Sequence, residues 1–365
     1  MSISINKISL FFFAFGFFLS QFYLWDSGLP QFSHILIILS IITYFTKNYY
    51  IDKISILIIF LFLIWVILVN LFWFSLYFDK SYIFSTVYWI FNILMFAVLI
   101  NLNHKNIETF FKLLMIIIPS SLFIEVFIWF LGFGRYNFTP RYNGFFNDPN
   151  QMAFWILSAC SIFLFISKKI KIKLIVYFLS LFLILLTMSR SAVLGFCFVT
   201  LGLVFQSKGS IIKRIISIIV SIIIAIFVAT FMYIKGFFDE ILNRMFLGLE
   251  QGDNQIEERG INVVFQNYEY LLFGAGQGNY HLFSKTGNEI HSTWLGILFY
   301  YGIFGFILFI FFIYNIFIKL NYSNKIIFLG PMIYGFSTYN GRTSIFWFLL
   351  AIAFIVGKHE EFKKG

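Results

Sequence analysis

Long apolar runs separated by short polar breaks organise the whole chain. Twelve of them stand out, at approximately 8–25, 33–46, 54–74, 82–101, 110–132, 149–167, 172–188, 191–206, 215–234, 291–317, 326–340 and 344–357. Most approach the roughly 20 residues that a helix needs to cross about 30 Å of hydrocarbon. Lipid offers no partner to backbone N–H and C=O groups, so runs of this kind are expected as helices. One connection departs from the pattern: residues 235–290, 56 positions of mixed polarity between the ninth and tenth runs. Apolar spacing in FFDEILNRMFLGL and in GINVVFQNYEYLLF predicts two amphipathic helices there, with the GAGQGN turn ending the second. A cap over one face of a helical bundle is the expected picture. No internal repeat or low-complexity linker divides the chain, so a single domain over 1–365 is expected, all-α and polytopic, with about twelve transmembrane helices.

Composition agrees with this pattern. The 365 residues are 60% hydrophobic and only 12% charged, against roughly 25% charged in soluble proteins, which excludes a soluble globular protein. The first run, after Lys7, has the length of a signal peptide but no small-x-small cleavage site follows it, so it is expected as a retained first span. Cys160 and Cys197 both lie inside apolar runs, where packing is their expected role.

The net charge of +10 sorts into two parts. Sixteen of the 19 lysines, including the KKIKIK segment, fall on one side of the alternating spans, so the positive-inside rule puts both termini in the cytoplasm. Six of the seven arginines (Arg135, Arg141, Arg190, Arg244, Arg259 and Arg342) then lie outside. If lysine and arginine were sorted alike, about two or three external arginines would be expected among the nine external basic residues. Orientation has no use for outward arginines, whereas a guanidinium binds phosphate or carboxylate bidentately and keeps its charge in a partly dry site. Arg135, Arg141, Arg190 and Arg342 sit in short outer turns, at the depth of a lipid-linked pyrophosphate. The bland alternative is that they reach to lipid headgroups or pair with the acidic loop, which carries eight acidic residues against four basic ones. Nucleic acid is not an expected partner, because most of the positive charge serves topology.

Other candidates are fewer. Asp148-Pro149-Asn150 reads as a helix start, with Asp at the N-cap and Pro in the first turn. His291, where the large loop meets the tenth run, is either a general base or an interfacial ring. Glu125, roughly two turns or ~10 Å inside the outer end of the fifth helix, could pair with an arginine, accept a proton or bond to a neighbouring helix. The glycines at 274, 276 and 278 lack a preceding strand or a Walker lysine and read as a tight turn rather than a nucleotide loop. No cluster of acids or histidines suggests a metal site, and no cofactor is expected.

At these residues the sequence resembles the bacterial O-antigen polymerase and O-antigen ligase superfamily of membrane glycosyltransferases. The pattern R-x-x-G-x-F-x-x-P-N-x-x-A is met by Arg141, Gly144, Phe146, Pro149, Asn150 and Ala153; S-R-x-A by Ser189, Arg190 and Ala192. An Arg followed by a G-x-G turn is met by Arg259, Gly274 and Gly276, and H-x-x-x-L-x-x-L-x-x-x-G-x-x-G by His291, Leu295, Leu298, Gly302 and Gly305. The matches occupy residues 141–305 in the expected order; the first 130 residues add only topology. Ser292 stands where ligases often have Asn.

The resemblance implies a GT-C-like fold in the bacterial cytoplasmic membrane, with the active face external. Its implied partners are an undecaprenyl-pyrophosphate-linked oligosaccharide donor and acceptor and membrane lipids; a chain-length regulator could join them. Carried over residue by residue, Arg141, Arg190 and Arg259 become pyrophosphate ligands, with Asn150 beside them, and His291 the base; Arg135 and Arg342 join the ligand set on charge sorting alone. Arg259 and Glu125 are further catalytic candidates. The expected reaction is metal-independent, inverting polymerisation of surface polysaccharide, with a ligase as the same-fold rival and a twelve-helix flippase as the rival of another class.

Overall fold

The structure is a computed structural model describing residues 5–25, 29–44, 53–102, 104–206, 259–283 and 289–362. These form α1 (Ile5–Leu19), α2 (Phe32–Tyr44), α3 (Lys53–Tyr77), α4 (Ser81–Ile100), α5 (His104–Phe130), α6 (Pro149–Ile166), α7 (Ile170–Thr187), α8 (Arg190–Gln206), the short α9 (Ile261–Gln266), α10 (Thr293–Lys319), α11 (Tyr322–Tyr334) and α12 (Ser344–Phe362). Among the described residues there is no strand, only the isolated bridges Arg135 to Gly144 and Phe138 to Arg141. Six helices, α3 to α7 and α10, are long and apolar enough to cross a membrane, and stretches of α1, α2, α8 and α12 are shorter apolar helices. Eleven of the twelve predicted runs therefore coincide with helices; the run at 215–234 and the amphipathic segment at 237–249 lie outside the described residues.

The element boundaries follow local chemistry. Asp148 caps α6 by accepting from Asn150 N at 2.6 Å, with Pro149 in the first turn, as the sequence indicates. Ser292 caps α10 by accepting from Leu295 N at 3.3 Å. The run expected at 326–340 is instead a helix over Tyr322–Tyr334 followed by a loop, because the carbonyls of Gly335 and Thr338 are taken by Thr293 N at the start of α10. GINVVFQNYEYLLF is likewise not one amphipathic helix. Asn267 ends α9 by bonding back to the Val263 carbonyl through both its backbone N and its side chain, and a 3-10 turn, Tyr268–Leu271, follows.

Two helices, α6 and α12, form the buried axis. Nearly every residue from Met152 to Phe165 and from Ile345 to Val356 is buried. By contrast α3 presents Leu61, Ile64, Leu68 and Phe72 outward, as a lipid-facing surface would. The closest helix pair is α8 with α11, where Gly195 and Gly330 face each other and a Cβ on either would fall under 3 Å from the other's carbonyl oxygen; small residues permit such approach without a hydrophobic drive.

α10 is broken at Gly302, whose φ of 66° and ψ of −177° only glycine adopts readily. At this break the carbonyls of Phe299, Tyr300 and Tyr301 accept from Ala275 N (2.9 Å), Gly276 N (2.9 Å) and Trp65 Nε1 (2.7 Å). The GAGQG segment, residues 274–278, is thus buried as a plug that satisfies a kinked helix, while Phe265, Tyr268, Leu272 and Phe273 of the same loop are exposed.

Candidate functional site

A cavity of about 660 Å³ opens where the ends of α1, α2, α6 and α12 meet the loops before α6, α10 and α12. Arg141, Asn150, Arg259, His291 and Arg342 all line it. Five of the eight residues singled out from the sequence, drawn from four separate segments, are brought together; Arg135, Arg190 and Glu125 are not among the lining residues.

Arg141 is buried at 8% exposure and held by neutral oxygens: its Nε donates to the Thr187 carbonyl at 2.9 Å and its Nη2 to Asn150 Oδ1 at 2.7 Å. Asn150 is fixed in turn, because the Tyr334 hydroxyl donates to its carbonyl at 2.8 Å and lies 3.5 Å from the Ser189 hydroxyl. Thr187, two residues before the S-R-x-A element, and Ser189 within it make these contacts, while Arg190 is exposed at the first position of α8. The Thr187 and Asn150 partners of Arg141 are both neutral carbonyl oxygens, and together they orient the guanidinium.

Arg135 has a different task. Its Nη1 donates to Asn147 Oδ1 at 2.6 Å and its Nη2 to the Tyr23 carbonyl at 2.9 Å, while Asn147 donates to the Trp25 carbonyl at 2.9 Å. It ties the loop before α6 to the connection after α1, and it does not line the cavity. Glu125 is fully buried on α5 against Gly144 of the same loop, and neither carboxylate oxygen has a hydrogen-bond partner among the described residues. Among the described residues it bonds to none of the arginines.

His291 is exposed at the cavity, and its backbone N donates to the Arg259 carbonyl at 2.9 Å, so base candidate and arginine are joined across the loop. The neighbouring Ser292 is a helix cap. Asn caps helices equally well, so the departure at 292 preserves a cap and leaves the imidazole untouched.

Arg342 is ion-paired. Its Nη2 lies 2.6 Å from Glu289 Oε2, its Nη1 donates to Ser85 Oγ at 3.3 Å, and its guanidinium stands 5.7 Å from the Tyr339 ring centroid. Glu289 Oε1 accepts from Gln277 Nε2 at 2.8 Å and from the Tyr280 hydroxyl at 3.2 Å. Gln277 Oε1 accepts from Trp89 Nε1 and from the hydroxyls of Tyr301 and Tyr339. Burial would lower the Arg342 pKa, but Glu289 and the tyrosines around it outweigh this and hold it above its ordinary value. Burial first, and then Glu289, raise the Tyr280 hydroxyl as well. Sequence reasoning counted Glu289 only as one acid of an acidic loop and Gln277 only as part of a glycine turn.

Comparison with known proteins bears on residues 175–310, which match the family model described as O-Antigen ligase. Arg190, Arg259, His291, Gly302 and Gly305 lie inside that segment; Arg141 and Arg342 lie outside it. No curated protein matches the chain.

Proposed function

We propose, with membership of the O-antigen polymerase and ligase superfamily as the premise, that this chain is a surface-polysaccharide polymerase. It joins undecaprenyl-pyrophosphate-linked repeat units on the outer face of the cytoplasmic membrane. The observation that carries the proposal is the convergence of Arg141, Arg259 and His291 on one cavity. A hydroxyl of the acceptor glycan attacks the anomeric carbon of the donor. The new C–O bond forms as the bond to the pyrophosphate oxygen breaks, with inversion, and negative charge grows on the departing phosphate. Arg141 and Arg259 bind that charge more tightly as it develops, which lowers the barrier rather than merely holding substrate. His291 takes the hydroxyl proton. Asn150 and Thr187 hold Arg141 in place and supply no chemistry of their own.

The test is complementation of a deletion strain with alanine variants at 141, 259 and 291, reading its glycan on a gel. Glycan halted at one repeat unit supports a polymerase. Loss of all glycan from the terminal acceptor instead identifies a ligase, the second reading, which the description of the matched family favours. Full-length ladders from all three variants would overturn the site. With purified enzyme, turnover in EDTA is expected to equal turnover without it; abolition rescued by magnesium would refute the metal-independent mechanism.

A further inference from the structure

A second histidine lines the cavity, and its chemistry differs from that of His291. His34 is the third residue of α2, and its Nδ1 accepts from the backbone N–H of Gln31 at 2.8 Å. The imidazole thus reaches back three positions to an amide left unpaired by the start of the helix, as the Glu or Gln of a capping box does. An Nδ1 that accepts carries no proton, so the ring's hydrogen is on Nε2. Protonating Nδ1 would turn this acceptor into a donor and break its bond to the Gln31 amide, in a residue only 3% exposed. The ring is held edge-on by Tyr88 and Phe91, at centroid distances of 6.1 and 5.3 Å. His34 is therefore a neutral, oriented donor, unsuited to taking a proton in turnover.

Hydroxyl groups are plentiful beside it. Tyr88, Ser33, Thr343 and Ser344 line the cavity with it. The guanidinium within electrostatic reach of Tyr88 is Arg342, which Glu289 engages at 2.6 Å. A phosphate arriving there would compete with a carboxylate already held by three donors, an unfavourable exchange. A sugar asks for no net charge; it needs oriented donors and acceptors and an aromatic wall.

We infer that His34, Tyr88 and the Arg342–Glu289 pair form a subsite for an uncharged sugar of the glycan, with His34 Nε2–H donating to a sugar hydroxyl. The pyrophosphate then belongs to Arg141 and Arg259. This rests on the glycan-transfer reading above, so the test uses two separate probes on full-length protein in lipid nanodiscs: inorganic pyrophosphate, and the free repeat-unit oligosaccharide released from the source organism's own polysaccharide. His34→Asn keeps an acceptor for the Gln31 amide and removes the Nε2 donor. It is expected to melt with the parent and bind the oligosaccharide about fivefold to tenfold more weakly, as for the loss of one neutral hydrogen bond. Its pyrophosphate affinity should be unchanged. Tyr88→Phe, which keeps the ring, is expected to weaken the oligosaccharide in the same selective way, and Arg141→Ala to give the reverse pattern. Equal oligosaccharide binding by parent and both variants, equal loss of both ligands in His34→Asn, or no oligosaccharide binding by the parent would overturn the subsite. Failure of the parent to bind pyrophosphate would defeat the pyrophosphate reading alone, while the oligosaccharide series would still decide the role of His34.

Discussion

Two loops deliver an arginine to the same cavity, and they hold it in opposite ways. The loop before α6 brings Arg141, oriented by the neutral oxygens of Thr187 and Asn150. The loop before α12 brings Arg342, oriented by the Glu289 carboxylate. Orientation is achieved in both, and in the second the partner is a carboxylate, whose charge offsets that of the guanidinium. A site that must bind an anion whose charge grows during reaction favours the first arrangement; a wall that must stay rigid and electrically quiet favours the second. Shared placement on one cavity is therefore weaker evidence of a shared role than the identity of each arginine's partners.

This contrast can be broken in several places. The largest effect is expected from Arg141→Ala, a fall of about 100- to 1,000-fold in repeat-unit transfer, the range for losing one donor to a developing anion; the rate of lipid-linked substrate consumption by purified enzyme measures it. Next, Glu289→Gln should lower stability by about 2 kcal/mol, because a partly buried guanidinium loses its counter-charge. Thermal unfolding would show a lower melting temperature, and pyrophosphate affinity should rise as Arg342 becomes available. Asn150→Asp reverses the manipulation by placing a carboxylate where Arg141 now meets an amide oxygen. A loss of about tenfold in transfer with an unchanged melting temperature is expected, on the order of 1 kcal/mol for such a pair; unchanged transfer would show that the neutrality of the partner is irrelevant. The smallest effect belongs to Ser292→Asn, within about 0.5 kcal/mol and without change in transfer, since one good cap replaces another. A large loss of activity there would mean that Ser292 acts on substrate rather than on the helix.

Much of the frame was legible before any coordinates. The Asp148 cap, the helical identity of the apolar runs and the interest of Arg141, Arg259 and His291 could all be read from local spacing and residue type. The GAGQG segment reads locally as a tight turn, but its pairing with the carbonyls freed at Gly302 joins segments that nothing local connects. Arg135 and Arg141 looked alike because they share a loop, a side of the membrane and a charge. Their difference rests on Asn147 and Tyr23 in one case and on Thr187 in the other. His34 went unremarked because an isolated histidine in an apolar run carries no spacing signal; its role appears only with the Gln31 amide at its Nδ1 and the cavity beside the ring.

The sequence by itself determined which of the described segments are helical and where several of them begin. These are local properties, set by backbone hydrogen bonding, by caps a few residues away and by transfer of apolar groups out of water. The tertiary structure alone decided which arginine meets a carboxylate, which meets a carbonyl and which pins a loop. Hydrogen bonds and ion pairs act over about 3 Å between atoms far apart along the chain, and no pattern within one segment specifies what will stand at that distance.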